Sequence, residues 1–133
     1  MMRSKMARAA AAITCATVLA ATPALAGFQA ENALYVEPAG NTSFDVPYRG
    51  GRAGASDFWC AAGDYVIRGL NAAPGTRIWR VSEPPRRSGQ GIRFSLSPDG
   101  AASRSGLLTL FGQGDASLSA AHARALCEAS RDR

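Results

Sequence analysis

The sequence predicts an α+β fold: an antiparallel sheet of about four or five strands packed on one main helix (56–70), with a short C-terminal helix tied back by a disulfide. Three observations lead there. Residues 56–70 carry a broad apolar arc at helical spacing. Segments 76–82 and 92–97 alternate with the two-residue period of a strand. Beyond an N-terminal leader two cysteines remain, Cys60 in the main helix and Cys127 near the C-terminus.

The main helix organises the rest. At about 100° per residue, Phe58, Trp59, Ala62, Tyr65, Val66, Gly69 and Leu70 share one face, and Cys60, Gly63 and Ile67 widen it. That arc exceeds what one sheet contact needs, so it implies two coverings: a sheet, and a second segment near Cys60. Asp64 and Arg68 stand four apart with the acid first, an arrangement expected on the wet face and worth only about 0.2–0.5 kcal/mol. Ser56 or Asp57 is the expected N-cap. Ala73-Pro74-Gly75-Thr76 ends the element with the residues of a type II turn. Gly63 costs about 1 kcal/mol relative to Ala inside a helix, so it reads either as a weak spot or as a point where another backbone comes close.

Residues 1–26 have the composition of a secretory leader. Arg3, Lys5 and Arg8 form a basic start, 9–21 is small and apolar, and Ala24-Leu25-Ala26 fits an A-x-A cleavage site. The alternative, a membrane anchor, is disfavoured by a short, alanine-rich run. Cys15 falls inside the leader. Processing leaves 27–133 as a single domain. The chain's net charge is +5, but Arg3, Lys5 and Arg8 supply three positives and no acid lies among them, so residues 27–133 carry +2. The expected location is therefore periplasmic or secreted, in a bacterium. In an oxidising compartment an even pair of cysteines usually bridges. A reactive thiol is the alternative, but no C-x-x-C spacing is present and no basic neighbour stands beside Cys60 to activate it.

Along the domain, 27–32 reads as a loose lead-in and 33–36 as a short strand stopped by Pro38. Residues 43–48 alternate, with Phe44, Val46 and Tyr48 on one face and Pro47 marking an edge or an end. A Gly/Arg loop (49–55) enters the helix. After it, 76–82 is a strand in which Trp79 and Val81 oppose Ile78 and Arg80. The Pro- and Gly-rich stretch 83–91 is a loop. In 92–97, Ile92, Phe94 and Leu96 face one way and Arg93, Ser95 and Ser97 the other. Residues 107–111 form a further strand, giving a meander after the helix. The second helix is expected over 117–126, capped by Asp115 or Ser117, with an apolar stripe of Leu118, Ala121, His122, Ala125 and Leu126. Cys127 would project away from that stripe, which sets the helix end and the bridge in conflict.

Few residues offer chemistry. His122 is the one histidine, so with the cysteines paired no convergent metal-ligand set remains, and no cofactor motif is present. Gly89-Gln90-Gly91 and Gly112-Gln113-Gly114 are turn fragments that do not complete a dinucleotide fingerprint. No G-x-S-x-G elbow occurs. Arg77, Arg80, Arg86, Arg87 and Arg93 stand against a single nearby acid, Glu83. If they share a surface, it would suit an anionic envelope component or an acidic protein face. Simple solvation and edge protection also explain them. No aromatic interleaving of the kind found in RNA-binding sheets accompanies them, so nucleic acid is not expected. No stable membrane span is expected once the leader is removed.

The stretch Phe58-Trp59-Cys60-Ala61-Ala62-Gly63-Asp64-Tyr65 resembles small secreted bacterial proteins of uncharacterised activity. The resemblance covers this stretch alone and implies no activity. The residues point away from an enzyme and toward an exported, non-catalytic binding or interaction module. The alternatives are a small periplasmic hydrolase using His122, and a structural accessory subunit of an envelope complex.

Overall fold

Every residue from Phe58 to Asp64 is buried, although these seven residues belong to one helix and cover its whole circumference. In the structure, a computed structural model describing residues 9–18, 27–107 and 115–132, that helix (α1, Ala55–Asp64) lies between a sheet and a second helix (α2, Ala120–Arg131). Both coverings implied by the wide apolar arc are thus present, and the segment near Cys60 is α2.

Among the described residues the sheet has six strands: β1 (Phe28–Gln29), β2 (Tyr35–Pro38), β3 (Ser43–Val46), β4 (Arg77–Arg80), β5 (Ile92–Ser95) and β6 (Ser117–Ser119). Their order is β1-β2-β3-β5-β4-β6, and all neighbours are antiparallel. The expected lead-in therefore contributes an edge strand, and the expected first turn of the second helix is instead the opposite edge. The chain after α1 is not a simple meander: the β4–β5 hairpin inserts with β5 beside β3, and β6 returns to β4. Residues 108–111 of the strand expected over 107–111, the fragment 112–114 and the expected cleavage site at 24–26 lie outside the described residues.

Period-two alternation settles which side of the sheet is core. Val36, Phe44, Val46, Ile78, Ile92 and Phe94 are buried against α1. A run of rings continues from the sheet onto the helix: Phe28 to Tyr65 at 5.5 Å, Tyr65 to Phe44 at 4.8 Å, Phe44 to Phe94 at 5.8 Å, and Phe94 to Trp59 at 4.8 Å. Such aromatic pairs add to the area they bury.

Three details differ from the sequence expectation. Gly54, not Ser56 or Asp57, is the N-cap of α1, and the Asp57 carboxylate works backwards, accepting the Gly54 N–H at 2.7 Å. The helical path continues through 65–69, but there it widens to a π-turn, Tyr65–Gly69, closed by the Leu70 N–H to Tyr65 O at 2.8 Å. The turn at Pro74-Gly75 closes by Thr76 N–H to Ala73 O at 3.0 Å, yet Gly75 is not among the positive-φ residues, so it is not type II.

Residues 9–18 of the expected leader are irregular, and the larger apolar side chains there, Ile13 and Val18, are 88% and 87% exposed. They add nothing to the core. Among the described residues, no helix is long and apolar enough to cross a membrane.

Candidate functional site

Cys60 and Cys127 are bonded, with their Cα atoms 4.8 Å apart across a sequence separation of 67. The conflict over Cys127 is resolved by the face of α2. Its buried residues are Ala120, Ala123 and Cys127, spaced three and four apart, whereas Ala121, His122 and Ala125 are exposed. The helix runs past Leu126 to Arg131, and the bridge lies on its inner face. Ser119 caps it, accepting the His122 N–H at 3.2 Å. Gly63 explains why the small residues face inward. A Cβ there would stand 2.4 Å from Arg124 N and 2.8 Å from Ala120 O, so the two helices meet backbone to backbone. Close approach is the correct reading of that glycine.

Asp64 is 0% exposed, contrary to the wet face expected for it, because α2 covers that side of α1. Burial alone would raise its pKa. The hydrogen bond from Arg68, the Glu31 N–H at 2.9 Å and the charges of Arg68 and Arg124 outweigh burial and hold the carboxyl below the usual carboxylate range. Arg68 donates to both Asp64 oxygens, Nε at 2.5 Å, and Arg124 Nε lies 3.4 Å from Oδ1. Glu31 extends the network, receiving Arg131 at 3.0 Å and lying 3.7 Å from Arg124. The β1–β2 turn, α1 and α2 are joined at this point.

That junction forms one wall of a groove of about 850 Å³. Glu31, Asn32 and Leu34 come from the β1–β2 turn, Arg52 from the loop before α1, Asp57 from its first turn, and Cys127, Ser130 and Arg131 from the end of α2. Most of its polar groups are already committed. Asp57 accepts Ser130 Oγ–H as well as the Gly54 N–H. The Asn32 side chain donates to Asp57 O at 2.8 Å and accepts the Leu34 N–H at 3.3 Å, across Ala33 held at φ 67°. Arg52 differs: it is exposed, and among the described residues its guanidinium has no partner.

The hairpin arginines do not form one open cationic surface. Arg80 is 1% exposed. Arg93 is paired with Asp45 at 2.7 Å, and Arg77 lies 3.8 Å from Asp115. Arg86 stacks over Tyr48 at 5.1 Å and Phe58 at 5.0 Å, and donates to the carbonyls of Arg87, Gln90 and Ala53. Of the five, Arg87 alone is exposed and unpaired among the described residues. Arg86 has a different use. With the Tyr48 hydroxyl, which donates to Gly51 O at 2.9 Å, it holds the loop that presents Arg52.

His122 is exposed beside a groove of about 470 Å³ that Ser56, Ser105, Asp115 and Ser117 also line. The Ser117 hydroxyl donates to Asp115 at 2.6 Å and accepts from Arg77 at 2.6 Å. The Ser117 hydrogen bonds hold the Asp115 carboxyl below its ordinary range. Among the described residues, no hydrogen bond reaches the His122 imidazole. Among the described residues, no nucleophile or carboxylate is therefore hydrogen-bonded to it as a general base would need. Among the described residues there is also no cluster of metal-ligating side chains.

Arg52, Arg131, Asp57 and Ser130 were not legible as a group. Asp57 and Ser130 are 73 residues apart, and only the pairing of the helices brings them together. No protein-family model, curated protein or solved structure matches the chain.

Proposed function

We propose that this protein is an exported, non-catalytic binding module whose groove between the β1–β2 turn, the 50–53 loop and the end of α2 takes an anionic group of an envelope component or acidic protein segment. The observation that carries this reading is Arg52, an unpaired guanidinium on the rim of a groove whose other polar side chains are already hydrogen-bonded or ion-paired. A planar guanidinium in that position favours carboxylate or phosphate oxygens, to which it can donate two parallel bonds. The walls are pre-organised, which reduces the ordering cost of binding. Export is supported by the leader composition and by the bridge.

A short acidic probe tests it. Titrating a capped hexaglutamate peptide into ¹⁵N-labelled protein at low salt should shift the amides of residues 31–34, 52–53 and 130–131. Arg52→Glu should weaken binding at least about fivefold, the loss of about 1 kcal/mol expected for one exposed charge contact. Shifts confined to other surfaces, or unchanged affinity in Arg52→Glu, would count against this groove.

A further inference from the structure

The loop that carries Arg52 has its acceptors and its donors in different states. Gly50 and Gly51 stand at φ +95° and +82°, a left-handed pair that suits glycine. Two of the loop's oxygens are taken: Gly51 O accepts the Tyr48 hydroxyl at 2.9 Å, and Ala53 O accepts Arg86 Nη2 at 3.1 Å. Its N–H groups are open. Among the described residues, the backbone N–H groups of 50–53 have no hydrogen-bond partner, and the next one along, at Gly54, is bonded to Asp57. Gly50, Arg52 and Ala53 all line the groove. A guanidinium without a partner and a run of open backbone N–H groups therefore belong to the same four residues. Successive N–H groups of a tight turn are suited to holding an anion, and a chain-end carboxylate is one group captured this way.

The rest of the groove limits what the anion is attached to. Two carboxylates line it, Glu31 and Asp57. Arg131 lines it too but is paired with Glu31 at 3.0 Å, so Arg52 is the cation left over. One negative group beside Arg52 is matched, whereas further charges along the ligand would face Glu31 and Asp57 and be repelled. Between these polar groups stand Ala33, Leu34 and Ala53, and Leu34 and Ala53 are packed against the core. A groove of about 850 Å³ holds several residues of a chain, far more than a lone carboxylate fills.

We propose that the groove captures the carboxyl terminus of a peptide or protein. The terminal carboxylate accepts from the Arg52 guanidinium and from the N–H groups of the 50–53 loop, and small apolar side chains at the end of the ligand lie along Ala33, Leu34 and Ala53. This rests on the function proposed for the groove and narrows it, since the anion becomes a single chain end in place of an acidic run.

Four ligands test it on ¹⁵N-labelled protein at about 0.15 M salt, where distant charges are screened. They are acetyl-Gly-Gly-Ala-Leu with a free carboxyl end, the same peptide ending in an amide, capped hexaglutamate, and hexanoate. The free-acid peptide should shift the amides of 51–53 and 33–34. Its amide should bind at least about tenfold more weakly, the loss expected when charge-assisted hydrogen bonds are removed. Hexaglutamate and hexanoate should each bind more weakly than the free-acid peptide, and Arg52→Glu should remove the shifts at 51–53. Equal binding of the amide or of hexanoate, or shifts at 51–53 that survive in Arg52→Glu, would overturn the chain-end assignment. Hexaglutamate held at Arg52 as tightly as the free-acid peptide would also overturn it, while leaving the groove's preference for an anion standing. A groove that responds to neither the free-acid peptide nor hexaglutamate would overturn both.

Discussion

Gly63 and Asp64, adjacent in sequence, show how single residues set the α1–α2 contact. At Gly63 two effects oppose. Alanine would gain about 1 kcal/mol of helix propensity. It would also drive a methyl into the Arg124 and Ala120 backbone, an overpacking that costs about 1–3 kcal/mol or more when backbone must move. The second effect is expected to win, so Gly63→Ala should lower the melting temperature by several degrees, measured by circular dichroism under oxidising conditions. For Asp64 the sign follows from its depressed folded-state pKa. Its contribution is fully present above the unfolded value of about 3.9 and is lost as pH falls through the lower folded value. The stability gap between wild type and Asp64→Asn should therefore be wide at pH 7 and narrow below about pH 4, measured by urea unfolding across pH. A gap that widens in acid would contradict the assignment. Gly63's close approach was one of two readings open in the sequence. Asp64's burial was not legible, because an i,i+4 acid–base pair looks the same on a wet face and beneath a second helix.

At the scale of elements, pattern reading succeeded where one face is apolar and the other wet. Residues 92–97 place Ile92 and Phe94 inward and Arg93 outward, and β5 does the same, although Ser95, expected on the wet face, is also buried. The wide arc of 56–70 foretold two coverings, and both exist. Reading failed in part for α2: of the expected stripe, Leu118 and Leu126 pack against the core, but Ala121, His122 and Ala125 are exposed. The contact there is made by the smallest side chains, Ala120, Ala123 and Cys127, because the helices approach at a glycine. The two-residue β1 and three-residue β6 are too short for any alternation to be seen. Cross-linking α2 to α1 has a thermodynamic consequence. Closing a loop of this length removes unfolded-state entropy worth about 4 kcal/mol. A Cys60→Ala/Cys127→Ala variant should lose stability of that order in urea unfolding, a large share of the 5–15 kcal/mol typical of a whole domain.

At the scale of the molecule, the layers explain where binding is proposed. The sheet's inner face and both sides of α1 are used up in the core. Polar side chains from three distant segments meet where the β1–β2 turn, the loop before α1 and the last turn of α2 converge. The bridge fixes α2 one turn before Ser130 and Arg131, so it also fixes that wall of the groove. Arg86 braces the opposite wall through Ala53 O. Arg86→Ala should thus weaken capture of an acidic peptide about as much as Arg52→Glu, although Arg86 does not line the groove. Titration by NMR distinguishes the two, because only Arg86→Ala should also broaden the amides of 48–53. None of this convergence was legible in the sequence, since it depends on contacts between segments up to 100 residues apart.

Export and bridging together are the premise of the functional reading, and one measurement addresses both. Non-reducing peptide mapping by mass spectrometry, on protein recovered from the cell envelope, should find a single species that starts at Gly27 and joins the Cys60 peptide to the Cys127 peptide. Recovery of that material with its leader intact and both thiols free would contradict the account.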